Sequence, residues 1–171
     1  MEQVKKLNTT SSSDHLKGLV GIDKCIEDIK SLLSHAPIVG IWGMGGLGKI
    51  TLANAIFKEF HPQFEGQYFL ANVRDEIERH GATYLRKLHF GELSKEKDLD
   101  LGNLQYIKQR LYHNKLLIVL DDVDDLKQYE DLVEDWDWLN SESRVIITRR
   151  AQQVLRNIIN ELRIRYTTSK N

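Results

Sequence analysis

A glycine-rich segment, GMGGLGKIT at residues 43–51, contains the residue types that hold a nucleotide phosphate. Gly43, four further residues, Gly48 and Lys49 match the spacing of a phosphate-binding loop. Glycines let successive backbone N–H groups turn toward a phosphate, and the lysine adds a full positive charge. The next position, where such loops carry serine or threonine, holds Ile50. The segment predicts phosphate binding and leaves open whether a metal-dependent reaction accompanies it.

Two other interpretations of this segment remain open. It could be a tight strand-to-helix turn with an incidental lysine, although the strand and helix predicted on either side favour a phosphate loop. Gly43, Gly45 and Gly48 also satisfy the dinucleotide fingerprint G-x-G-x-x-G. That fingerprint expects an acid at the end of the second strand, about 20 residues on. Asp75 and Glu76 come too late for that role, so the dinucleotide interpretation is the weaker one.

Two adjacent acids, Asp121 and Asp122, directly follow the apolar run LLIVL and are a second candidate for chemistry. In phosphate-loop NTPases an acid at the end of a buried strand holds Mg²⁺ beside the phosphates. Two carboxylates at such a place are costly unless a cation or a water needs them. We therefore predict Asp121 as the metal-side acid and Asp122 as the residue that orients or deprotonates an attacking water. Alternatively, both are turn residues that begin the acidic helix DDLKQYEDLVED.

Alternating strands and helices are predicted to position these residues. Short apolar runs indicate strands, and apolar residues at spacings of three and four indicate the helices between them. The predicted strands cover 37–44, 67–73, 115–123 and 144–150, with a fifth at 162–168. This alternation is typical of a parallel sheet covered by helices on both faces. The predicted fold class is α/β, a three-layer phosphate-loop NTPase sandwich with about five strands.

Composition narrows the domain organisation and the classes of partner. The 171 residues, 41% hydrophobic, are enough for one core. Residues 1–18 are polar and predict a flexible linker, which leaves 19–171 as the nucleotide-binding domain. A net charge of -1 gives no general attraction to nucleic acid or to an anionic membrane. With one cysteine, no secretory signal and no long apolar run, we expect a cytoplasmic or nucleocytoplasmic protein without a membrane span.

Five motifs together resemble the NB-ARC nucleotide-binding domain of plant intracellular disease-resistance proteins. In chain order they are LVGID, GIWGMGGLGK, FLANVRDE, LLIVLDDVDD and SRVIITRR. The resemblance extends from about Leu19 to Leu155. Asp124, which closes LDDVD, together with FLANVRDE, is similar to the subclass whose full-length members carry an N-terminal TIR domain. The resemblance implies a slow switch that rests with ADP and signals with ATP.

The resemblance also implies roles for matching positions. It places adenine against the backbone of Leu19, Val20 and Gly21, and the phosphates against the glycine-rich segment. The nucleotide-contacting positions are Leu19, Val20, Gly21, Gly43, Gly45, Gly46, Leu47, Gly48, Lys49, Ile50 and Thr51. It matches Asp121 to the metal-side acid, Asp122 to the catalytic acid, and Arg150 to the arginine that senses the γ-phosphate.

Several positions depart from the family pattern. Ile50 replaces the threonine whose hydroxyl would bind Mg²⁺, and a hydrocarbon cannot coordinate a hard cation. Glu142, Arg149 and Ala151 stand where the family has glycine, threonine and aspartate. The GLPL and MHD motifs of the helical ARC portion, which hold the nucleotide from the other side, do not occur in the sequence. We therefore expect an impaired magnesium site and weak nucleotide binding.

Three functional hypotheses follow from these residues. The main one is an ADP/ATP-binding domain of a plant defence receptor with weak or no ATP hydrolysis. The second is a slow Mg²⁺-dependent ATPase. The third is a scaffold or truncated relic that binds no nucleotide and associates with full-length resistance proteins or with missing domains of its own. Trp136 and Trp138 are expected to anchor a loop onto the domain or to meet a partner.

Overall fold

The structure is a computed structural model that describes residues 4–7, 15–43, 47–134, 137–149 and 152–169. Within these ranges, residues 4–7, 15–22, 25, 43, 47–53, 152 and 163–169 are described by their backbone alone. The strands are β1 (Val4–Leu7), β2 (Ile38–Gly43), β3 (Gly66–Leu70), β4 (Leu116–Leu120) and β5 (Arg144–Arg149). The helices are α1 (His15–Leu33), α2 (Leu47–Phe60), α3 (Val73–His80), α4 (Ala82–Ser94), α5 (Leu104–Leu111), α6 (Leu126–Val133) and α7 (Gln152–Ser169). Short 3-10 helices cover His61–Gln63 and Leu101–Asn103.

The five strands form one parallel sheet in the order β1-β2-β5-β4-β3. Strand β4 is buried along its whole length, and its side chains alternate between two cores. Leu117 and Val119 join the core formed with α1 and α2, whereas Ile118 and Leu120 join the larger core formed with α3 to α7. Helices therefore cover both faces, which explains why β4 is apolar at every position. The predicted α/β class and three-layer arrangement are confirmed.

The secondary structure near both ends of the described chain differs from the expectation. Val4–Leu7, expected within a linker, pair with β2 in a register that sets Leu7 beside Gly43. The first helix begins at His15, before residue 19. The strand predicted at 162–168 is wrong, because α7 continues to Ser169. The physical reason is that the buried side chains of α7 recur at the three- and four-residue spacing of one helix face as far as Leu162, so the segment continues the helix. These side chains are Leu155, Ile158, Ile159 and Leu162.

The loop after α6 is fixed by an aromatic anchor. Trp138 is buried, its indole Nε1 donates a hydrogen bond of 2.9 Å to the Val133 carbonyl, and its ring lies 5.0 Å from that of Phe90. This confirms the predicted anchoring role for Trp138. Trp136 lies outside the described residues.

Because all the strands are parallel, their carboxyl ends lie at one edge of the sheet. Strand β5 lies between β2 and β4, so that Arg149 is paired with Trp42 on one side, while the end of β4 lies on the other. In open α/β sheets, ligands bind outside this carboxyl edge. Gly43, Asp121, Asp122 and Arg149 all lie there.

Candidate functional site

The glycine-rich segment has the strand–loop–helix context that its sequence pattern requires. Strand β2 ends at Gly43 and α2 begins at Leu47, while residues 44–46, including Gly45 and Gly46, lie outside the described residues. Gly48, Lys49, Ile50 and Thr51 fall in the first turns of α2. The free N–H groups and dipole of a helix N-terminus attract anions. The backbone therefore offers an anion-binding helix start at the carboxyl edge of the sheet.

Asp121 links three strands at this edge. Its carboxylate is almost fully buried, with 2% of the residue exposed. Oδ1 accepts a hydrogen bond of 2.5 Å from the Thr148 hydroxyl, and Oδ2 accepts one of 3.2 Å from the Asn72 backbone N–H. The Asp121 backbone N–H also donates to the Leu70 carbonyl at 2.9 Å. These bonds tie the ends of β3, β4 and β5 together.

Asp122 has a left-handed backbone conformation, with φ of 59°. Its N–H donates a hydrogen bond of 3.1 Å to the Thr148 hydroxyl oxygen, and the next N–H, of Val123, donates to the Thr148 carbonyl at 3.2 Å. Such a conformation persists in a non-glycine residue where surrounding contacts enforce it. Asp121 and Asp122 do not begin the acidic helix, because α6 starts at Leu126 and is capped by the Asp125 side chain.

Asp121 could contribute one carboxylate to a magnesium ion held mainly by nucleotide phosphates. Each of its carboxylate oxygens accepts one hydrogen bond from the protein and keeps a second lone pair. Among the described residues, no cluster of three or more histidine, cysteine, aspartate or glutamate side chains is arranged to hold a metal. Ile50, at the position where the loop pattern supplies a hydroxyl, adds no oxygen ligand.

Arg149 forms an ion pair that the sequence pattern did not predict. Its Nη1 donates to the Val123 carbonyl at 3.0 Å, to the Asp124 carbonyl, and to the Asp124 Oδ1 at 2.5 Å. Only 18% of the Arg149 side chain is exposed, against 41% for Asp124. The sequence signal that could have indicated this pair is an arginine at the end of β5 and an acid shortly after β4, the strand beside it. In the sequence, Arg149 appears merely as a departure from the family's threonine.

A second arginine faces the same acids from α3. The Arg74 guanidinium donates to the Asp75 carboxylate at 3.3 Å. This hydrogen bond, followed by the negative charges of Asp122 and Asp75 and then of Asp124, raises the Arg74 pKa above its usual value. The side chain is half exposed, so solvent screens these interactions. The carboxyl edge of the sheet thus carries charged side chains of both signs, aspartates and arginines.

Other predicted site residues are placed by the backbone or lie outside the described ranges. Leu19, Val20 and Gly21 are in α1, where backbone N–H and C=O groups bond one another. Their backbone contact with adenine stays a prediction that this conformation does not favour. Arg150 directly follows β5 and lies outside the described residues. Across the parts of the chain that the structure describes, a helix suited to crossing a membrane is not found.

Comparison with known proteins identifies the fold family. The NB-ARC domain family matches residues 22–168, which is most of the chain. The chain belongs to the NB-ARC family. This NB-ARC domain is 36% identical to the disease resistance-like protein DSC1 of Arabidopsis thaliana over 92% of the chain and 14% of DSC1. It is 36% identical to the TMV resistance protein N of Nicotiana glutinosa, over 91% of the chain and 15% of that protein.

A third relative comes from another plant genus. The disease resistance protein RPV1 of Vitis rotundifolia is 38% identical over 80% of this NB-ARC domain and 10% of its own length. The domain therefore spans a small part of each curated relative. The predicted resemblance to the NB-ARC domain of plant disease-resistance proteins is confirmed, and the match to N agrees with the predicted TIR-type subclass.

Proposed function

We propose that this NB-ARC domain is the ADP- or ATP-binding switch of a plant disease-resistance receptor and that it has weak or no ATP hydrolysis. The observation that carries the proposal is Lys49 in the first turn of α2, a helix that begins at Leu47, four positions after β2 ends at Gly43, with Ile50 next to Lys49. This arrangement retains the cation and the helix N-terminus that hold phosphate. It replaces the hydroxyl that would coordinate Mg²⁺.

The residues that would hold the nucleotide follow from the loop's sequence pattern, the start of α2 and the family membership. The N–H groups at the start of α2 and the Lys49 ammonium would hold the β-phosphate, with Thr51 at the α-phosphate. The resemblance assigns the adenine to Leu19, Val20 and Gly21, although their place in α1 does not favour a backbone contact, and Arg150 would meet the γ-phosphate. In the parent receptor, which we place in the cytoplasm, exchange of ADP for ATP would signal defence.

The magnesium dependence of binding is part of the proposal. When bound, Mg²⁺ neutralises phosphate charge beside an acid at the end of the third strand of such sheets. Here the loop supplies Ile50, which has no oxygen ligand, and Asp121 is held by hydrogen bonds to Thr148 and Asn72. We therefore expect ADP binding to persist when Mg²⁺ is removed.

Calorimetric titration with ADP tests binding, in EDTA and then in Mg²⁺. The parent domain is expected to bind under both conditions with similar affinity, and Lys49→Ala is expected to weaken binding at least tenfold, because it removes a charge in direct contact with phosphate. Lys58→Ala is the matched control, since Lys58 is an exposed lysine in the last turn of the same helix. If the parent binds no ADP under either condition, the proposal is wrong and a scaffold role becomes the better account.

A slow Mg²⁺-dependent ATPase is the second candidate, favoured by the position of Asp121 and Asp122 at the edge where the phosphate loop begins. Steady-state phosphate release by the parent and by Ile50→Thr separates the two. Turnover that appears only in Ile50→Thr supports a binder that lost its metal ligand. Equal Mg²⁺-dependent turnover in both proteins would establish the ATPase instead.

A further inference from the structure

Glu134, the residue that follows the last turn of α6, has a backbone conformation that favours glycine. Its φ is 58° and its ψ is -139°. Asn72 and Lys95 also have positive φ, but their ψ values of 54° and 29° place them in the left-handed region that other residues adopt occasionally. The combination at Glu134 lies outside that region and is close to the one that a type II′ turn assigns to glycine. Glu134 is therefore strained, because its Cβ makes this conformation costly.

Two cations hold Glu134 in this conformation. Arg86 of α4 donates from Nη1 to one carboxylate oxygen at 2.9 Å, and Lys108 of α5 donates to the other. The Arg86 Nε also donates to the Asp131 carbonyl of α6 at 2.8 Å. Only 10% of the Lys108 side chain and 25% of the Arg86 side chain are exposed, so solvent screens these ion pairs only partly. Strained backbone persists where surrounding contacts enforce it, and these ion pairs are such contacts.

The strained residue lies next to the anchor of the loop that follows α6. The carbonyl of Val133, directly before Glu134, accepts the hydrogen bond from the Trp138 indole Nε1 at 2.9 Å. The Trp138 ring packs on those of Phe90 and His89, with centroids 5.0 and 6.0 Å away, and the three rings form an aromatic cluster. Because Glu134 lies between the Val133 carbonyl and Trp138 in the chain, rotation of its backbone changes the distance between donor and acceptor.

We propose that Glu134, Arg86 and Lys108 form a latch that holds a strained turn closed over the aromatic cluster. While both ion pairs are intact, they offset the strain at Glu134 and Trp138 stays anchored. When the cations are removed, residue 134 relaxes to negative φ and the Trp138 anchor opens, while the sheet stays folded. The cleft between α5 and Trp138, about 360 Å³ in volume, then extends into the aromatic cluster. The latch is independent of nucleotide binding, so its test does not depend on the proposed function.

The solvent exchange rate of the Trp138 indole N–H, followed by NMR, measures the anchor directly. Trp42→Phe and Trp136→Phe distinguish its signal from those of the other two tryptophans. Glu134→Ala removes the carboxylate but keeps a Cβ, and is expected to raise the exchange rate about tenfold or more. Glu134→Gly removes the same carboxylate but adopts the conformation without strain, so its rate is expected to stay within about threefold of the parent's.

Removing the two cations tests the latch from the other side. Arg86→Gln combined with Lys108→Met leaves Glu134 in place without its partners, and is expected to raise the exchange rate about tenfold. Adding Glu134→Gly to this pair is expected to return the rate to within about threefold of the parent's. Lys127→Ala is the matched control, because it breaks an exposed ion pair with Asp131 on the same helix and is expected to leave the rate unchanged.

Alanine and glycine at position 134 separate strain from charge. Equal acceleration in both variants would show that the ion pairs act without a strained turn, and the inference would be wrong. A parent-like rate in Glu134→Ala would also overturn it, since the anchor would then not need the latch. Thermal unfolding shows which variants fold. If Glu134→Ala does not, Glu134→Gly decides: a parent-like rate supports the latch, and a rate about tenfold higher contradicts it.

Discussion

The Thr148 hydroxyl lies 2.5 Å from Oδ1 of Asp121 and donates a hydrogen bond to it, which joins the carboxyl ends of the neighbouring strands β5 and β4. The same oxygen accepts the N–H of Asp122 at 3.1 Å. One hydroxyl therefore satisfies both a buried carboxylate and the backbone of a left-handed residue. This relationship makes the edge of the sheet sensitive to a single side chain.

Thr148→Val is expected to lower the free energy of unfolding by about 2–3 kcal/mol, because it leaves a buried carboxylate and a backbone N–H without their shared partner. Thr148→Ser keeps the hydroxyl and is expected to lose less than half as much. Urea denaturation of both variants measures the difference. Equal losses in the two variants would show that the methyl group, and not the hydroxyl, matters here.

His89 is a buried imidazole enclosed by aromatic rings. Neither ring nitrogen has a hydrogen-bond partner among the described residues, and the ring centroids of Tyr68 and Phe90 lie at 4.6 and 4.9 Å. Burial lowers the pKa of His89 from 6.5 to about 3. The unfolded chain takes up a proton at this residue below about pH 6.5, whereas the folded protein does so only near pH 3. Stability is therefore lost as the pH falls through this window.

The expected slope from His89 is up to about 1.4 kcal/mol per pH unit between about pH 6 and 3.5. His89→Leu is expected to remove this part of the pH dependence and to raise the free energy of unfolding at about pH 7 by about 1 kcal/mol, because an unpaired polar group no longer has to be buried. Urea denaturation across this pH range gives both quantities. His113→Leu, at an exposed histidine, is the control. An unchanged slope in His89→Leu would assign the acid sensitivity to other groups.

Glu134 binds two cations from different helices. Its carboxylate accepts hydrogen bonds from Arg86 of α4 at 2.9 Å and from Lys108 of α5, whose side chain is only 10% exposed. Glu134→Ala is expected to cost about 2 kcal/mol, because it leaves the Lys108 ammonium partly buried without its carboxylate. Adding Lys108→Met is expected to restore at least half of that loss. A double-mutant cycle by thermal unfolding checks this, and strict additivity of the two changes would refute the coupling.

Local sequence patterns predicted most of the fold because β2, β4 and β5 are mostly buried apolar runs that differ clearly from their helical neighbours, while β3 is a short, partly buried run. Strand β1 was not predictable in this way, since VKKL has two apolar residues and becomes a strand only by pairing with β2. The stretch 162–168 alternates polar and apolar side chains, yet it continues a helix whose preceding face is already packed. Tertiary contacts decide both cases, and a local pattern does not contain them.

The candidate site was predictable to the same extent. The residues of the loop pattern are contiguous in the sequence, as are the two acids after β4, so the order of residues is enough to indicate their chemistry. The pair of Arg149 with Asp124 joins residues 25 positions apart. It depends on the order in which β2, β5 and β4 lie side by side, which no local spacing reveals. The engagement of Asp121 by Thr148 depends on that order as well.

The register of β1 connects the N-terminal side of the chain mechanically to β2, the strand that precedes the glycine-rich segment. Leu7, the last residue of β1, is aligned with Gly43, the last residue of β2, and the two strands run in the same direction. A pull along the chain ahead of Val4 would load the β1–β2 ladder in shear, with all of its hydrogen bonds sharing the force. Tension on the N-terminal side would thus reach β2, the strand that precedes the glycine-rich segment, before it reached any other strand of the sheet.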